Sequence, residues 1–596
     1  MPPKPPGPPK PPGPPPKPFT TCQEDAAEVA KLPHRPDPDP SDPRPSGKHD
    51  RVKEQITGWY GQPGPLPTMG NSVVPYIYGR CAFLDMGTAL AGATSADHRI
   101  YVLGWGVDKD AVMIEAAGGS PAVKFGDLLQ RTKAQVRGMF WDNPDVGGDP
   151  TMNPAGGNNV PIANFINGLP NGLAILDGKL PRLRYNGAYF DRTGAAHHQK
   201  LLVVSGALGL VAFTGGMDIN GSRVGTDPFH DVQFRVTGPA AAALLRVFRE
   251  RWLDHPDSRL DAVKFSMPRA QVEADFALAA TRQAPVPLPS STLGRGSRGP
   301  GTCAVAVGRT YSDLGKVNKS LERYGFAPAG ERTAWELIKR AVSRARHYIY
   351  IEDQYLVSRR LKALLVDRLR DPEFKFLLIL MEQSRSFEHD NELVKRKKKL
   401  DEHGNVIRDA NGVEEEEISF PNEFPYLIGA RNEWRTDFAA ADPGGRKWRM
   451  FSLKASQDDE RRKWCGPYVH AKTILVDDEF AVIGTVNVDD RGYTFDTEIA
   501  AGITDDLFGR MGGRRFARDL RVNLWHKHLA VPRARLATWE SGLQVWRRPP
   551  PEAMVVDSSA LEASPLLGGA KALLRDNQDA DRGWRETIDP DADLRP

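Results

Sequence analysis

Short apolar runs alternate with amphipathic stretches through the middle of the chain. Residues 99–105 read Arg-Ile-Tyr-Val-Leu-Gly-Trp and predict a buried strand, because a continuous apolar run of this length is typical of a parallel sheet. An Ala-rich helix is expected from about Gly87, and a helix over 125–136 and a strand over 137–141 follow. This alternation predicts an α/β fold with a parallel sheet.

The same order of elements returns in the second part of the chain. A helix over 334–346 leads into a strand over 347–352, and a further helix and strand follow. Residues 98–102 and 347–351 align without a gap, as His-Arg-Ile-Tyr-Val and His-Tyr-Ile-Tyr-Ile. Self-similarity across so long a separation predicts an internal duplication. We therefore expect two homologous α/β halves.

Each half ends in a His-x-Lys sequence that directly precedes an apolar run. His470 and Lys472 precede the partly β-branched residues 473–476, and His198 and Lys200 precede a similar run. The period of two in an extended chain places the His and the Lys of each motif on the same side. One copy would be a weak signal, since such residues at a strand end are most often solvated. Two copies favour a shared functional site.

This pair of motifs suits the chemistry of a phosphodiester. Two imidazoles and two ammonium groups facing one cleft allow one histidine to attack phosphorus and the other to protonate the leaving oxygen, while the lysines neutralise the developing charge. The scheme requires neither a metal nor a cofactor. A reacting imidazole also needs a carboxylate on its second ring nitrogen. Asp231 follows His198, and Glu498 follows His470, so we expect these two pairs.

Composition narrows the class of protein. Hydrophobic residues make up 40% and charged residues 26% of the 596 residues, with a formal net charge of +4, as in soluble globular proteins. The sequence has no basic stripe of the kind that nucleic-acid-binding proteins carry, so a nucleic-acid partner is not expected. The four cysteines are far apart, which predicts free thiols and no zinc site. No signal peptide or membrane-spanning segment is expected, so we expect a cytoplasmic location or non-classical export, with peripheral membrane contact.

Five segments are expected along the chain. They are a Pro-rich, disordered tail and lead-in (1–72), a first half (73–281), a linker rich in Pro, Ser, Gly and Arg (282–330), a second half (331–531) and a partly disordered C-terminal extension (532–596). Twelve of residues 1–18 are prolines, which predicts a polyproline II spacer. A docking site for a Pro-binding partner is the alternative for this tail.

The motifs and the blocks around them resemble the phospholipase D superfamily with paired HKD motifs. The second half carries the whole family pattern, in His470, Lys472, Asp477, Gly484, Thr485 and Asn487. The first half resembles the eukaryotic, plant-type enzymes in residues 197–200, 215–218 and 228–232, and residues 349–355 match another block of that subfamily. The resemblance covers residues 73–530. It implies two phospholipase D-like sandwich halves about a pseudo-twofold axis, with one shared active site.

The resemblance implies a phospholipase D, which hydrolyses the distal phosphodiester bond of a membrane glycerophospholipid to phosphatidate and an alcohol through a phosphohistidine. An added alcohol would give headgroup exchange. His198 would be the nucleophile and His470 the general acid, with Lys200, Lys472 and Asn487 contacting the phosphate. A phosphatidyltransferase of the cardiolipin synthase type and a nuclease are alternatives on the same scaffold. An inactive lipid-binding or scaffold protein is the alternative from another class.

Departures from the family pattern add further expectations. Ser205 stands where the first motif of the family carries an Asp, and because that Asp is mainly a structural partner, we expect activity to survive. The Pro-rich residues before the first half are too few for the calcium-binding C2 domain of the plant enzymes, so calcium dependence is not expected. Asp218 matches Asn487 in position and is expected to be structural. We expect His197 and His230 to be buried and hydrogen-bonded without a chemical role.

Overall fold

The structure is a computed structural model. It describes residues 58–116, 120–142, 159–180, 182–185, 188–193, 195–225, 228–282, 303–317, 322–382, 395–398, 406, 408, 416–419, 424–453, 467–505 and 516–558. Residues 1–57 of the expected Pro-rich tail and lead-in (1–72) and the end of the C-terminal extension lie outside these residues. Residues 58–72 are described, with Trp59 and Tyr60 buried and a strand that begins at Thr68, so the expected disorder is wrong for this part of the lead-in.

Strands and helices alternate along the described chain. In the first half they are β1 (Thr68–Tyr76), α1 (Gly79–Ala91), β2 (Arg99–Gly104), β3 (Val112–Ile114), β4 (Val123–Lys124), α2 (Phe125–Arg131), β5 (Gln135–Trp141), α3 (Val160–Gly168), β6 (Gly172–Asp177), β7 (Arg182–Tyr185), β8 (Ala188–Thr193), β9 (Leu201–Gly206), β10 (Gly209–Gly215), β11 (Gln233–Thr237), α4 (Pro239–Asp254), α5 (Leu260–Lys264) and α6 (Arg269–Ala280).

The remaining elements complete the chain. They are β12 (Cys303–Tyr311), α7 (Leu314–Val317), β13 (Glu331–Arg332), α8 (Thr333–Arg344), β14 (Tyr348–Asp353), α9 (Arg359–Arg370), β15 (Phe376–Met381), β16 (Lys395–Lys398), β17 (Glu416–Ser419), α10 (Phe424–Ala441), β18 (Trp448–Leu453), β19 (Thr473–Val476), β20 (Phe480–Gly484), α11 (Asp490–Thr494), β21 (Glu498–Asp505), α12 (Phe516–Leu529), α13 (Trp539–Arg547) and β22 (Val555–Asp557).

The expected α/β alternation is present, with shifted boundaries. Helix α1 begins at Gly79 rather than near Gly87. Helix α2 ends at Arg131, because Thr132 leaves the helix in an extended conformation, with ψ of 146°. The apolar run after His347 forms β14, in which every residue is buried. Apolar runs therefore located the strands more accurately than the helix ends, as expected for short helices whose boundaries depend on capping.

Most of the described strands join in one sheet. Its order is β22-β18-β15-β14-β19-β20-β21-β12-β1-β11-β10-β9-β2-β5-β6, with β13 beside β12. Strands β2, β5 and β6 pair in parallel, as do β14, β15 and β18. Strands β9 to β11 and β19 to β21 pair antiparallel, so the sheet is mixed rather than parallel. The pattern repeats outward from the junction of β1 and β12, which supports the proposed duplication.

The segment expected to be a linker supplies a central strand. Strand β12, within the expected linker 282–330, pairs antiparallel with β1 on one side and with β21 on the other. Its residues are almost all buried. The linker expectation is therefore wrong for residues 303–311, because their apolar sequence forms a strand between two neighbours. The extension after 532 likewise contains α13 and β22, and β22 pairs with β18 at the sheet edge.

The period of two along the strands divides the hydrophobic core between the two faces of the sheet. Tyr101 and Leu103 of β2 belong to a cluster that also contains residues of β14, β19 and β21. Ile100 and Val102 point to a separate cluster formed by first-half elements. A matching cluster lies in the second half. One face of the sheet therefore packs into a core shared by both halves, which fixes their relative position.

Two expectations from composition can be compared with the described residues. Cys303 is a buried free thiol, whereas Cys81 takes part in a disulfide bond, so the expectation of free thiols is wrong at Cys81. Among the helices that the structure describes, none has both the length and the apolar character needed to span a bilayer.

Candidate active site

The two histidines expected to react lie on short segments that lead into matching strands of the two halves. His198 precedes β9 and His470 precedes β19. Their side chains are 11% and 12% exposed, respectively. Each ring is therefore largely desolvated but keeps an accessible edge, as a group that meets a substrate must.

Each of these histidines is held through Nδ1 by a carboxylate. His198 Nδ1 lies 2.8 Å from Glu498 Oε1, and His470 Nδ1 lies 2.8 Å from Asp231 Oδ2. A neutral imidazole that donates from Nδ1 carries its lone pair on Nε2. Both histidines can therefore present Nε2 to a substrate.

The pairing of histidines with carboxylates differs from the expectation. We expected Asp231 beside His198 and Glu498 beside His470, and this is wrong, because the partners are exchanged between the halves. The two pairs join residues that are 300 and 239 positions apart in sequence. Each pair therefore contains one residue from each half, and neither half holds a complete histidine–carboxylate pair alone.

Main-chain hydrogen bonds across the two halves explain the exchange. His197 forms a parallel bridge with Thr497, and His230 forms a parallel bridge with Val469. In a parallel arrangement the next residue on each segment also lies side by side. The first bridge thus places His198 beside Glu498. The second places Asp231 beside the histidine of the second motif.

Both motif lysines are buried against their own motif but differ in their second partner. Each Nζ donates to the carbonyl oxygen of the histidine in its motif, at 3.0 Å for Lys200 and 2.6 Å for Lys472. Asp218 Oδ2 lies 3.2 Å from Lys200 Nζ, whereas Lys472 Nζ donates to the amide oxygen of Gln354 at 3.0 Å. The second hydrogen-bond partner is therefore a carboxylate for Lys200 and a neutral amide for Lys472, on which the carboxylates of Asp231 and Asp353 act electrostatically.

Burial and the clustered cations shift the pKa values of these groups. Burial, with Lys200 and Lys472, holds the pKa of His198 well below its usual range. Burial, with Lys472 and Arg223, does the same for His470. Burial lowers the pKa of Lys472 to about 8. Because an anion would favour the charged forms of all these groups, the site is suited to bind a phosphate.

Asp218 and Asn487 occupy matching positions after the first and the second motif, but their contacts differ. Asp218 Oδ1 accepts hydrogen bonds from the main-chain N–H groups of Trp105 and Gly106, at 2.9 and 3.1 Å, and its other oxygen faces Lys200. Its expected structural role agrees with these contacts. Asn487 is 5% exposed, and its Oδ1 is buried without a hydrogen-bond partner among the described residues. Its contact with phosphate stays a prediction.

His197 and His230 are buried and hydrogen-bonded, as expected. His197 Nε2 lies 3.0 Å from Asp177 Oδ1, and its Nδ1 lies 3.0 Å from Thr497 Oγ1. His230 Nε2 lies 2.9 Å from Glu352 Oε2. Burial lowers the pKa of His197 to about 4 and that of His230 to about 3, so both are neutral near pH 7. Their contacts are those of positioning residues.

One cluster within the described chain has the composition of a metal site. His230, Glu352 and His528 bring one ligand atom each within 4.8 Å of the others. Lys527 Nζ, however, lies 2.8 Å from His230 Nδ1, so this nitrogen must accept a hydrogen bond and Nε2 must carry the proton. A metal on Nε2 would place N–H on Nδ1 against the ammonium. The residues therefore fit a hydrogen-bonded chain better than a metal site.

The sequence analysis assigned no site role to several residues that contact the catalytic groups. Arg223 Nε donates to Asp231 Oδ2 at 3.1 Å, Thr485 Oγ1 donates to Glu498 Oε2, and Gln354 holds Lys472. Thr485 and Gln354 lie in blocks that carry the family resemblance, which could have signalled them. Arg223 has no such signal, because it lies in a loop between two blocks and its role depends on contacts across the fold.

The chain is similar in sequence to phospholipases D of plants. No family model matches the chain. Phospholipase D beta 2 of Arabidopsis thaliana is 24% identical over 569 residues, which cover 78% of this chain and 58% of that protein. Phospholipase D alpha 3 of the same plant is 23% identical over 558 residues, which cover 73% and 62%. The resemblance to the phospholipase D superfamily is confirmed.

The structural comparison concerns the fold. The crystal structure of phosphatidylserine synthase from Haemophilus influenzae Rd KW20 covers 91% of this chain and 100% of that chain, with a TM-score of 0.50 and 13% identity. So low an identity supports the α/β fold alone. The chain also spans 58% and 62% of the length of the two plant phospholipases D.

Proposed function

We propose that this protein is a phosphodiesterase of the phospholipase D type, which cleaves the headgroup ester of a glycerophospholipid to give phosphatidate and an alcohol. The observation that carries the proposal is the pair of buried histidines, each hydrogen-bonded through Nδ1 to a carboxylate of the other half. Such pairing leaves two Nε2 atoms for two-step transfer through a phosphohistidine. Lys200 and Lys472 would neutralise the phosphate oxygens.

The proposed reaction needs only side chains of this chain. One histidine forms a bond from Nε2 to phosphorus, and the other gives a proton to the departing headgroup oxygen. Water, deprotonated by the second histidine, then releases phosphatidate from the first. A phosphatidyltransferase would use the same first half-reaction with an alcohol in place of water. The small formal charge of +4 argues against a nuclease.

Purified full-length protein should release an alcohol and phosphatidate from a mixed phospholipid extract in excess EDTA. His198→Ala and His470→Ala should each lower the rate by about 10³-fold or more, because the two residues act as one unit. Mass spectrometry of the lipid and aqueous phases identifies the headgroup. Added ethanol separates hydrolysis from transfer through the yield of phosphatidylethanol.

Three results would contradict this proposal. Full activity of either histidine variant would exclude a shared site. Loss of turnover in EDTA with recovery on adding calcium or zinc would require a metal in the reaction. An inactive lipid-binding protein would bind vesicles of the same extract without releasing any headgroup.

A further inference from the structure

Two buried histidines stand directly before the groups that the first half contributes to the site. His197 precedes His198, and His230 precedes Asp231. Each of the two preceding histidines is 1% exposed and lies on a main-chain bridge to the second half. The ring of each also contacts a buried carboxylate. The segments that carry the reacting groups are therefore anchored through these preceding histidines.

The two carboxylates that hold the reacting histidines differ in the support of their main chain. Glu498 is the first residue of β21 and pairs with β12 inside the large sheet. Asp231 lies two residues before β11. Arg223 Nε and the main-chain N–H of Val232 orient its carboxylate, at 3.1 and 2.8 Å. The position of its main chain depends on the neighbouring bridge formed by His230.

Both segments of this bridge have an anchor beyond their main-chain hydrogen bonds. The His230 N–H donates to the Tyr468 carbonyl at 2.8 Å, and the His470 N–H donates to the His230 carbonyl at 2.7 Å. On the second-half segment, the N–H of Val469 donates to the carboxylate of Glu382, which follows β15. On the first-half segment, the anchor is the side chain of His230.

The His230 ring lies between a cation and an anion. Lys527 Nζ, from α12, donates to Nδ1 at 2.8 Å, and Nε2 donates to Glu352 Oε2 at 2.9 Å. Lys527 also donates to the Ile77 carbonyl at 2.7 Å, and its Nζ lies 4.6 Å from the centroid of the Tyr78 ring. A neutral imidazole has one donor and one acceptor nitrogen, so these contacts fix both the tautomer and the orientation of the ring.

Glu352, within β14, is itself held by three donors. His528 Nε2, from α12, and the Tyr350 hydroxyl donate to Oε1 at 2.8 and 2.6 Å, and His230 donates to Oε2. Burial opposes ionisation of this carboxyl, but the two imidazoles hold its pKa well below its usual range. An ionised carboxylate that accepts from three buried groups has a fixed orientation, and this orientation is passed on to the His230 ring.

We propose that Lys527 and His528 of α12 are positioning residues of the proposed reaction. They fix the His230 ring, and the main chain beside that ring then holds Asp231 against His470. Lys527 acts on one ring nitrogen directly, and His528 acts on the other through the carboxylate that both imidazoles share. The inference rests on the phosphodiesterase proposed above. Both residues act through other groups of the fold rather than on the substrate.

Helix α12 should act on one histidine–carboxylate pair more than on the other. A displacement of about 1 Å in a reacting group can lower the rate on the order of 10²-fold, so the support of the main chain matters for catalysis. The pair of His198 and Glu498 has support of its own, because β21 carries the carboxylate within the sheet. His197, beside this pair, is held by Asp177 and Thr497, which lie outside α12.

Two substrates separate a loss of positioning from a loss of fold. With His470 as the general acid, the headgroups of a mixed phospholipid extract need its proton, whereas a phosphatidyl ester of p-nitrophenol does not. Rapid mixing with excess full-length protein gives the single-turnover rates of headgroup release and of the p-nitrophenol burst. His470→Asn should keep the burst and lose headgroup release, whereas His198→Asn should lose both.

Variants of α12 should follow the His470→Asn profile at smaller amplitude. His528→Phe keeps a ring without the donor, and it should lower headgroup release by about 10- to 10²-fold but the burst by less than about threefold. Lys527→Met should give the same profile, and His528→Gln, which retains an N–H donor, should recover most of the rate. Leu520→Ala removes buried apolar atoms about two turns earlier in α12, so it should lower the Tm and leave the ratio of the two rates unchanged.

An NMR measurement tests the positioning without any substrate. In full-length protein with ¹³Cε1-labelled histidine, assigned with the two asparagine variants, His528→Phe and Lys527→Met should each shift the His470 signal and leave the His198 signal in place. If His528→Phe does not fold, Lys527→Met carries the comparison. An unchanged His470 signal in a folded variant would overturn the inference, as would equal losses on both substrates. If the signal shifts but wild type releases no headgroup, the proposed function fails while the positioning network stands.

Discussion

At the scale of single residues, the two motif lysines are equivalent in sequence but have different buried partners. Lys472 carries a buried ammonium whose second partner is the neutral Gln354 amide, and burial lowers its pKa to about 8. Lys200 is paired with the buried carboxylate of Asp218. The carboxylates of Asp231 and Asp353 act on Lys472 but do not offset the cost of burying its charge, because its pKa stays depressed. Removing one partner of the buried Lys200–Asp218 pair leaves the other uncompensated.

Replacing each lysine by methionine should therefore change stability in opposite directions. Lys472→Met should raise the thermal unfolding midpoint at pH 7 by roughly 1–3 °C, and Lys200→Met should lower it by a similar amount. Because the folded-state pKa of Lys472 is depressed, the stabilising effect should be greatest below pH 8 and shrink as the pH rises toward 10.5. Differential scanning calorimetry at pH 7 and pH 9.5 measures both effects.

The catalytic activity of the two lysine variants gives a second test, independent of their stability. Both variants should lose headgroup release by about 10²-fold or more, since each removes a cation from the phosphate site. A Lys472→Met protein that is less stable than wild type at pH 7 would show that Asp231 and Asp353 fully compensate the buried ammonium.

At the scale of elements, the strands that follow the two motifs end in different anchors, Asp477 after β19 and Ser205 in β9. Asp477 follows β19 and accepts hydrogen bonds from the main-chain N–H groups of Arg346, His347 and Tyr348, at 2.8, 2.9 and 2.8 Å. These bonds tie the start of β14 to the end of β19. Ser205 occupies the matching place and instead donates to the Ala279 carbonyl at 3.1 Å.

In the first half, the hydrogen bond from Ser205 therefore reaches helix α6 rather than the start of a strand. Arg282 Nε donates to Ser205 Oγ at 3.1 Å, and its Nη2 reaches the Asp97 carbonyl at 2.7 Å, near the start of β2. The serine and the arginine together span the gap that one aspartate closes in the second half. This arrangement gives a structural reason why the replacement of Asp by Ser leaves the site geometry in place.

Asp477→Ser should destabilise the second half without removing chemistry. Losing three main-chain hydrogen bonds to a carboxylate should lower the free energy of unfolding by on the order of 1–3 kcal/mol. Headgroup release measured well below the unfolding midpoint should change by less than about fivefold, because Asp477 touches no reacting group. Ser205→Ala is the matched control, with an expected cost below about 1 kcal/mol. An inactive but fully stable Asp477→Ser protein would give this carboxylate a direct role.

At the scale of the whole molecule, the two halves are joined by more than the chain between them. Strands β1 and β12 pair at the centre of the sheet, and one hydrophobic cluster contains residues from both halves. Main-chain bonds also cross at the site, from His198 N to Thr497 O and from His470 N to His230 O, at 3.0 and 2.7 Å. The site is complete only when both halves are in place.

Cutting the chain between Arg282 and Cys303 should therefore leave an intact and active complex. A protease recognition sequence inserted there, in the Pro-, Ser- and Gly-rich segment, allows cleavage of the folded protein. The two fragments should elute together in size-exclusion chromatography and retain most of the headgroup release. Separately expressed fragments should each be inactive, and mixing should restore activity. Fragments that separate after cleavage would contradict a continuous sheet.

The sequence by itself determined the class of fold, the motif residues and the resemblance to the phospholipase D superfamily. Apolar runs located strands such as β2 and β14 because both faces of the sheet are buried, and two His-x-Lys copies signalled one site. These features are local, since they depend on residues a few positions apart. The carboxylates Asp231 and Glu498 were also identified in this way, as acidic residues at similar distances after each motif.

Only the tertiary structure decided which carboxylate serves which histidine. The pairs span 300 and 239 residues, and no local pattern encodes contacts that form when two segments meet across a sheet. The same holds for Arg223, whose charge matters only because folding buries it against His470. It also holds for β12, whose apolar residues become a central strand once β1 and β21 lie on either side. Packing of the whole core brings distant segments of the chain together. Residues that look equivalent in the sequence therefore receive different partners, and with them different chemical environments.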